Sequence, residues 1–276
     1  VEPPRDAGTP LFAGIRYQAE VLPGPARAHV VRIDLRQPGL RFAVTPGDTR
    51  GGMEHVARLT TAYLGERHAQ VAVNASYFLP FKGGSKGADD YYPHVGDPVS
   101  VSGAEIAGGE TVSPVETTID ERVDSMLCFR RAQTVIVDGQ RCPRGFTDGV
   151  AAGPRLLDHG RTRDSTLAYA TEAHPRTAFG ISADRRRAWI VVVDGRQADS
   201  KGMSLADLTA LFRRLGASDA INLDGGGSST LAVEGSDGSP RLLNSTIHTG
   251  VPGRERPVAN QILVFAPPAA PAKARP

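Results

Sequence analysis

The chain is poor in cysteine, tryptophan and methionine, with two, one and three of them in 276 residues, and its aromatic content is only 6%. Cys128 and Cys142, without a histidine cluster around them, are too few for a structural zinc site. Two readings stay open for the pair: a disulfide across a predicted hairpin in an oxidising compartment, or two buried thiols. Charge of neither sign dominates, since 32 Lys and Arg face 30 Asp and Glu for a net charge of +2. A nucleic-acid binder needs a basic stripe that displaces counterions, and none is present, so no nucleic-acid partner is expected. The triplet Arg185-Arg186-Arg187 reads as a solvated turn. No run approaches the roughly 20 apolar residues that cross a bilayer, so no transmembrane segment is expected. The chain also lacks a His-Glu-x-x-His segment and a Ser-His-Asp order, which excludes zincin and serine-hydrolase readings.

The composition, 40% hydrophobic and 22% charged, supports a large folded core. The chain opens on Val1, and residues 1–10 are rich in proline and polar groups, as expected where a signal peptide has been removed. Together with the cysteines this predicts a secreted or periplasmic protein. The Pro/Ala-rich residues 266–276 have nothing to pack and read as a tail. The expected layout is an N-terminal extension and first strand over 1–27, a catalytic domain over 28–265 and the tail over 266–276.

Within that layout, residues 30–35 alternate apolar and polar in the manner of a half-buried strand, and residues 41–45 are expected to pair with it across Gln37-Pro38-Gly39. Met53, Val56, Leu59, Tyr63 and Leu64 form a helical stripe closed by Gly65. Strands are expected at 70–73, 117–119, 134–137, 230–233 and 258–265, and a long loop or lid containing short strands at 79–114. The apolar run 188–193 is followed by a helix with Ser204 as cap, Asp207 in its first turn, a stripe of Leu205, Leu208, Leu211, Phe212 and Leu215, and Gly216 at its end, and then by strand 220–223. Strand, crossover helix and strand predict a parallel pair. The expected fold is therefore α+β: a mixed β-sheet core with packed helices, including one parallel strand-helix-strand unit. That geometry brings Asp194 and Asp224, each the first residue after its strand, to one rim of the sheet.

The most informative segment is Asn222-Leu223-Asp224-Gly225-Gly226-Gly227-Ser228-Ser229. Three consecutive glycines are costly to order, which points to a close approach of backbone to a ligand. Their N–H groups can form a nest for an anion, with Ser228 and Ser229 adding hydroxyl donors, and the missing lysine excludes a P-loop. The segment resembles the hallmark of the phosphodiester glycosidase family. Arg176-Thr177-Ala178-Phe179-Gly180, Asp194-Gly195-Arg196 followed by Gly202-Met203-Ser204, Gly153-Pro154-Arg155-Leu156-Leu157 and Arg256-Pro257-Val258-Ala259-Asn260 resemble family blocks in the same order. Asn74-Ala75-Ser76-Tyr77-Phe78 departs from the family's usual Asn-Gly-Gly followed by two aromatics, so added side chains narrow the cleft there.

The resemblance implies a hydrolase that cleaves a sugar-1-phosphodiester in a glycan or surface polysaccharide, its partner being that glycan. Asp224, Asp194 and His94 are the candidate catalytic groups. Arg155, Arg176, Thr177 and Asn74, with Gly225, Gly226, Gly227, Ser228 and Ser229, are the candidate phosphate- and sugar-binding residues. Tyr77, Phe78, Tyr91 and Tyr92 offer a sugar-stacking wall, and His248 is a second histidine that titrates near neutrality. No cofactor or metal is expected, because Asp194, Asp199 and Asp224 lack a clear ligand spacing. Two rival readings use the same residues: a non-catalytic module that binds phosphorylated glycans, and a metal-assisted phosphodiesterase.

Overall fold

The protein's structure is a computed structural model that describes residues 8–79, 93–117 and 121–268. Along strand Ala26–Asp34 the period-two pattern has apolar groups on both faces: Val31 and Ile33 enter one core cluster, Ala28 and Val30 another. A strand buried on both sides belongs at the centre of a layered structure. It lies inside an eight-stranded sheet whose order is Thr9–Phe12, Ile15–Leu22, Ala26–Asp34, Arg187–Val193, Arg176–Ile181, Asp219–Asn222, Arg155–Asp158 and Arg161–Thr162.

One face of this sheet packs on two five-stranded sheets. The first contains Glu105–Ala107, Glu110–Ser113, Ser125–Arg130, Gln133–Asp138 and Asp148–Ala152; the second contains Arg41–Val44, Val71–Asn74, Leu231–Glu234, Pro240–Leu242 and Gln261–Phe265. The three sheets meet at three of the few aromatics. Phe42 stacks on Phe129 with centroids 4.7 Å apart, and Phe179 meets both rings edge-on at 5.8 and 5.7 Å.

The other face of the large sheet is covered by helix Leu205–Leu215, which lays Leu208, Leu211 and Phe212 on Ala178, Trp189 and Val191. Ser204 caps this helix by accepting from Asp207 N–H at 3.1 Å, and Gly216 ends it in the left-handed region at φ 88°. Helix Thr60–Arg67 covers the outer face of the second five-stranded sheet with Tyr63 and Leu64. It begins later than the apolar stripe implied, because His55–Val56 pairs with Pro98–Val101 and holds the preceding residues extended.

The α+β expectation is overturned: two α-helices stand against 21 strands among the described residues, and the architecture is a β-sandwich-like stack of sheets. The parallel pair is not formed either. Arg187–Val193 and Asp219–Asn222 run in the same direction, but Arg176–Ile181 is inserted between them and is antiparallel to both. A turn through residues 182–186, tied by Ser182 Oγ–H donating to Asp184 at 2.6 Å, folds Arg176–Ile181 back onto Arg187–Val193 before the helix is reached. Arg185 and Arg186 are exposed in that turn. Among its described residues, the span 79–114 carries the end of strand Phe78–Leu79 and the strands Pro98–Val101, Glu105–Ala107 and Glu110–Ser113. Thr118 and Ile119 of the expected strand 117–119, and Tyr91 and Tyr92, lie outside the described residues. Cys128 and Cys142 are joined in a disulfide, and no described helix is long and apolar enough to cross a membrane.

Candidate active site

Asp224 sits where strand Asp219–Asn222 runs off the sheet, and its backbone is tied on both sides. Leu223 N–H donates to Thr177 O at 2.8 Å and Asp224 N–H to Ala75 O at 2.9 Å. Asn74 closes the bracket: its Nδ2 donates to Asp224 O at 2.6 Å, while its Oδ1 accepts from Thr177 Oγ1–H at 2.9 Å and Thr230 N–H at 3.0 Å. With 1% and 0% of their surface exposed, Asn74 and Thr177 are closed off from solvent. Both were expected to bind substrate; their polar atoms instead fix the loop that carries Asp224.

Each of the three glycines has its own steric reason. A Cβ on Gly225 would lie 2.7 Å from Pro175 O, Gly226 has a left-handed φ of 60° beside the Arg196 guanidinium, and the space a Cβ on Gly227 needs is filled by Arg256. The nest expected from this run is mostly closed. Gly226 N–H donates to Pro175 O, Ser228 N–H to Gly225 O and Ser229 N–H to Gly226 O, at 2.8, 3.1 and 3.2 Å. Those three amides are committed to the chain and are not available to a ligand.

Asp224 and the glycines form one wall of a cleft of about 250 Å³, with Arg176, Arg196 and Arg256 around it. Arg176 is buried, donates from Nε to Met203 O at 2.9 Å and from Nη2 to Tyr169 O and Glu172 O at 2.9 and 3.0 Å, and so is held by neutral carbonyls. Arg256 donates from Nε to His248 Nδ1 and from Nη1 to Ser228 Oγ, both at 3.1 Å. His248 thereby acts as an acceptor that orients an arginine. Burial raises the Asp224 carboxyl to about 6, against the opposing pull of the Ser228 hydroxyl, Arg256, the Gly225 N–H and Arg196. Ser228 lies behind the carboxyl, and Ser229 is buried beneath the loop, its carbonyl accepting from Asn244 Nδ2 at 3.1 Å.

Tyr77, Tyr169 and His174 also line the cleft. The two phenolic oxygens are 3.1 Å apart, and Tyr77 also donates to Gly153 O at 3.3 Å and accepts from Asn222 Nδ2 at 2.9 Å. Burial pushes Tyr77 well above the usual tyrosine value, which keeps it a neutral phenol. Burial, reinforced by Arg176 and Arg196, lowers His174, whose Nε2 is 2.9 Å from Glu172 Oε2. This imidazole is therefore neutral at neutral pH.

Four further expected residues lie elsewhere or serve otherwise. Asp194 reaches the same sheet edge as Asp224, as expected, but its carboxylate turns away from the cleft: it is 2% exposed, accepts from His29 Nε2 and Ser245 N–H, both at 2.9 Å, and is not among the cleft's walls. Arg155 is consumed by carboxylates, reaching Asp138, Asp158 and Asp219 at 2.8, 2.8 and 2.7 Å. His94 is exposed, 3.5 Å from Asp97, and does not line the cleft. Phe78 is packed in a small core with Val99 and Val258. Among the described residues the one cluster with ligand-like spacing, Asp158, His159 and Asp219, lies beside Arg155 and outside the cleft.

Of the cleft residues, Arg196, Arg256, His174 and Tyr169 were not expected. Arg196 and Arg256 stood inside the blocks Asp194-Gly195-Arg196 and Arg256-Pro257-Val258-Ala259-Asn260, where their charge next to glycine or proline was the available signal. His174 and Tyr169 sit in irregular chain with no periodic pattern, and only the fold brings them in.

The described fold resembles the zebrafish N-acetylglucosamine-1-phosphodiester alpha-N-acetylglucosaminidase catalytic domain auto-inhibited by pro-peptide, with TM-score 0.64 and 18% identity over 95% of this chain and 85% of that one. A putative exported protein from Burkholderia pseudomallei K96243 matches with TM-score 0.59 and 16% identity over 92% of this chain and 76% of its own. A hypothetical protein from Synechocystis does so with the same TM-score and identity over 91% and 62%. In sequence, 118 residues are 36% identical to the SPbeta prophage-derived uncharacterized protein YomE of Bacillus subtilis (strain 168), a match spanning 40% of this chain and 18% of that much longer relative. A family model matches residues 67–265, which include the Asp224 loop and the three cleft arginines, and the chain belongs to the phosphodiester glycosidase family.

Proposed function

We propose that the cleft hydrolyses a sugar-1-phosphodiester, releasing the sugar and leaving a phosphomonoester on the other partner. The observation that carries this reading is a single carboxyl, Asp224, raised to about 6 and ringed by three guanidinium groups in one cleft. A phosphodiester is a stable anion, and guanidinium groups recognise it and take up the charge that grows on its oxygen as the glycosyl bond breaks. Phosphate leaves readily, so the step that needs help is delivery of water to the anomeric carbon. Asp224 takes the proton from that water as its oxygen bonds to carbon, and the electron pair of the breaking carbon–oxygen bond stays with the phosphate. The pair of facing carboxylates used by most glycosidases is not invoked, because Asp194 points elsewhere. Tyr77 and Tyr169 bound the sugar side, and neutral His174 serves as a second hydrogen-bonding group.

The disulfide and the exported relative support a protein acting outside the cytoplasm on a phosphodiester-linked glycan or surface polysaccharide. The test is product analysis by mass spectrometry and phosphorus NMR on sugar-1-phosphodiesters, with and without a chelator. Release of sugar that survives the chelator and falls by about 10²–10⁴ in Asp224→Asn is the expected result. Undiminished turnover in that variant removes Asp224 from the mechanism, and phosphate binding without turnover in the unaltered protein replaces the hydrolase with a binding module.

A further inference from the structure

Asp194 and His29 are 2% and 4% exposed in the sandwich interior. Burying a carboxylate and an imidazole there carries a desolvation cost, although neither lines the cleft. They form one chain of contacts: the Tyr17 hydroxyl is 2.8 Å from His29 Nδ1, and His29 Nε2–H donates to Asp194 Oδ2 at 2.9 Å. The use of this polar network lies in the backbone it holds.

Two residues beyond Asp194 is Arg196, whose φ of 59° is a left-handed conformation that a side-chain-bearing residue keeps only when its surroundings impose it. Ser245 supplies a clamp on both sides of that residue. Its N–H donates to Asp194 Oδ1 at 2.9 Å, its hydroxyl donates to Gln197 Oε1 at 2.7 Å, and its carbonyl accepts from Gln197 Nε2 at 2.9 Å. Ser200 closes the loop by donating its hydroxyl to Asp194 O at 2.6 Å while Gln197 N–H donates to Ser200 O at 3.0 Å. Gly195 has no freedom to shift inward, since a Cβ there would lie 2.6 Å from Pro175 N. The outcome is a guanidinium parked against Gly226, with Nη2 at 3.2 Å from the position a Cβ would take.

We infer that Asp194 is a positioning residue: backed by His29 and Tyr17 and clamped by Ser245, it fixes the backbone that aims Arg196 at the phosphate of the substrate. The inference rests on the reading of the cleft as a phosphodiester site and adds to it how one of its cations is held. It assigns the second acid of the sheet edge a role through Arg196 and none at the reacting atoms.

Calorimetric titration with inorganic phosphate tests this without relying on turnover, using the full chain, Asp194→Asn, Arg196→Gln and the double variant, with thermal melts confirming folding. Each single substitution is expected to weaken phosphate about tenfold, and Asp194→Asn to add nothing once Arg196 is gone, the non-additivity of a coupled pair. His29→Gln, which breaks the same network from the other side, should reproduce the Asp194→Asn loss. An unchanged dissociation constant in folded Asp194→Asn, or an equal loss with and without Arg196, overturns the positioning role alone. No phosphate binding by the unaltered protein overturns the anion cleft itself.

Discussion

The guanidinium of Arg256 occupies the space that a side chain on Gly227 would need, so that Nη2 would overlap even a methyl group there. Arg256 cannot step aside cheaply, because its Nε and Nη1 are bonded to His248 and Ser228. Gly227→Ala is therefore expected to behave as an overpacked core, losing about 1–3 kcal/mol in denaturant titration. A misplaced Arg256 should also lower kcat/KM for a sugar-1-phosphodiester by about 100-fold. Wild-type stability and turnover in Gly227→Ala would mean that the arginine is loosely held.

The raised Asp224 carboxyl sets the direction of the pH profile. A base must be ionised, so kcat/KM should fall about tenfold per unit below the free protein's value of about 6 and level off above it. A bound phosphodiester brings a second negative charge near the carboxyl and opposes its ionisation, so the limb in kcat should lie at higher pH than the limb in kcat/KM. Initial rates between pH 4.5 and 8 give both limbs. A rate that falls as pH rises through 6 would instead make the protonated carboxyl the active form.

The same shift has an opposite signature in stability. Asp224 has a folded value of about 6 against 3.8 for the free side chain, so the folded state holds the proton more tightly than the unfolded state. Stability is then highest below the unfolded value and declines as pH rises through 6, by up to about 3 kcal/mol. Asp224→Asn cannot ionise and escapes that decline. The inactive variant should melt above wild type at pH 7.5, with the difference shrinking toward pH 4, and a lower melting temperature across this range would contradict the desolvation account.

Periodicity read from the sequence found the Leu205–Leu215 helix with its Ser204 and Gly216 ends, because every signal for it is local. The same reasoning missed the insertion of Arg176–Ile181 between its neighbours, since strand order is decided by contacts between distant segments. It placed Asp194 and Asp224 at one edge, yet a carboxylate's direction depends on which side of the sheet its residue faces, and His29 and Ser245 draw Asp194 away from the cleft. Arg155 and Arg176 look alike in sequence, each at the start of a strand. The carboxylates Asp138, Asp158 and Asp219 around one, and the carbonyls of Met203, Tyr169 and Glu172 around the other, are visible only in three dimensions.

The disulfide ties Cys128 in the middle of a strand to Cys142 beyond the following one, 14 residues apart. A closed loop of that length removes about 3 kcal/mol of unfolded-state freedom. Reduction should lower the melting temperature by the corresponding amount while leaving kcat and KM at 25 °C unaltered, because neither cysteine lines the cleft. A loss of activity in the reduced, folded protein would tie this sheet to the site.

Arg155 separates a structural role from a substrate role most cleanly. It is 5% exposed and carries three carboxylates on one guanidinium; its bond to Asp219 ties Arg155–Asp158 to the strand beside it, while Nε donates to Leu157 O at 3.2 Å within its own strand. Removing one partner of a buried ionic cluster costs about 3–5 kcal/mol when the remaining charges stay dry. Here Asp138 and Asp158 reach water and retain Arg163 as a partner, so the loss in Arg155→Gln should be smaller, about 2 kcal/mol. Phosphate affinity and kcat/KM, measured well below the lowered melting temperature, should stay within about twofold of wild type, as for sites that share no partner. A tenfold weaker phosphate affinity with unchanged stability would instead place Arg155 on the substrate.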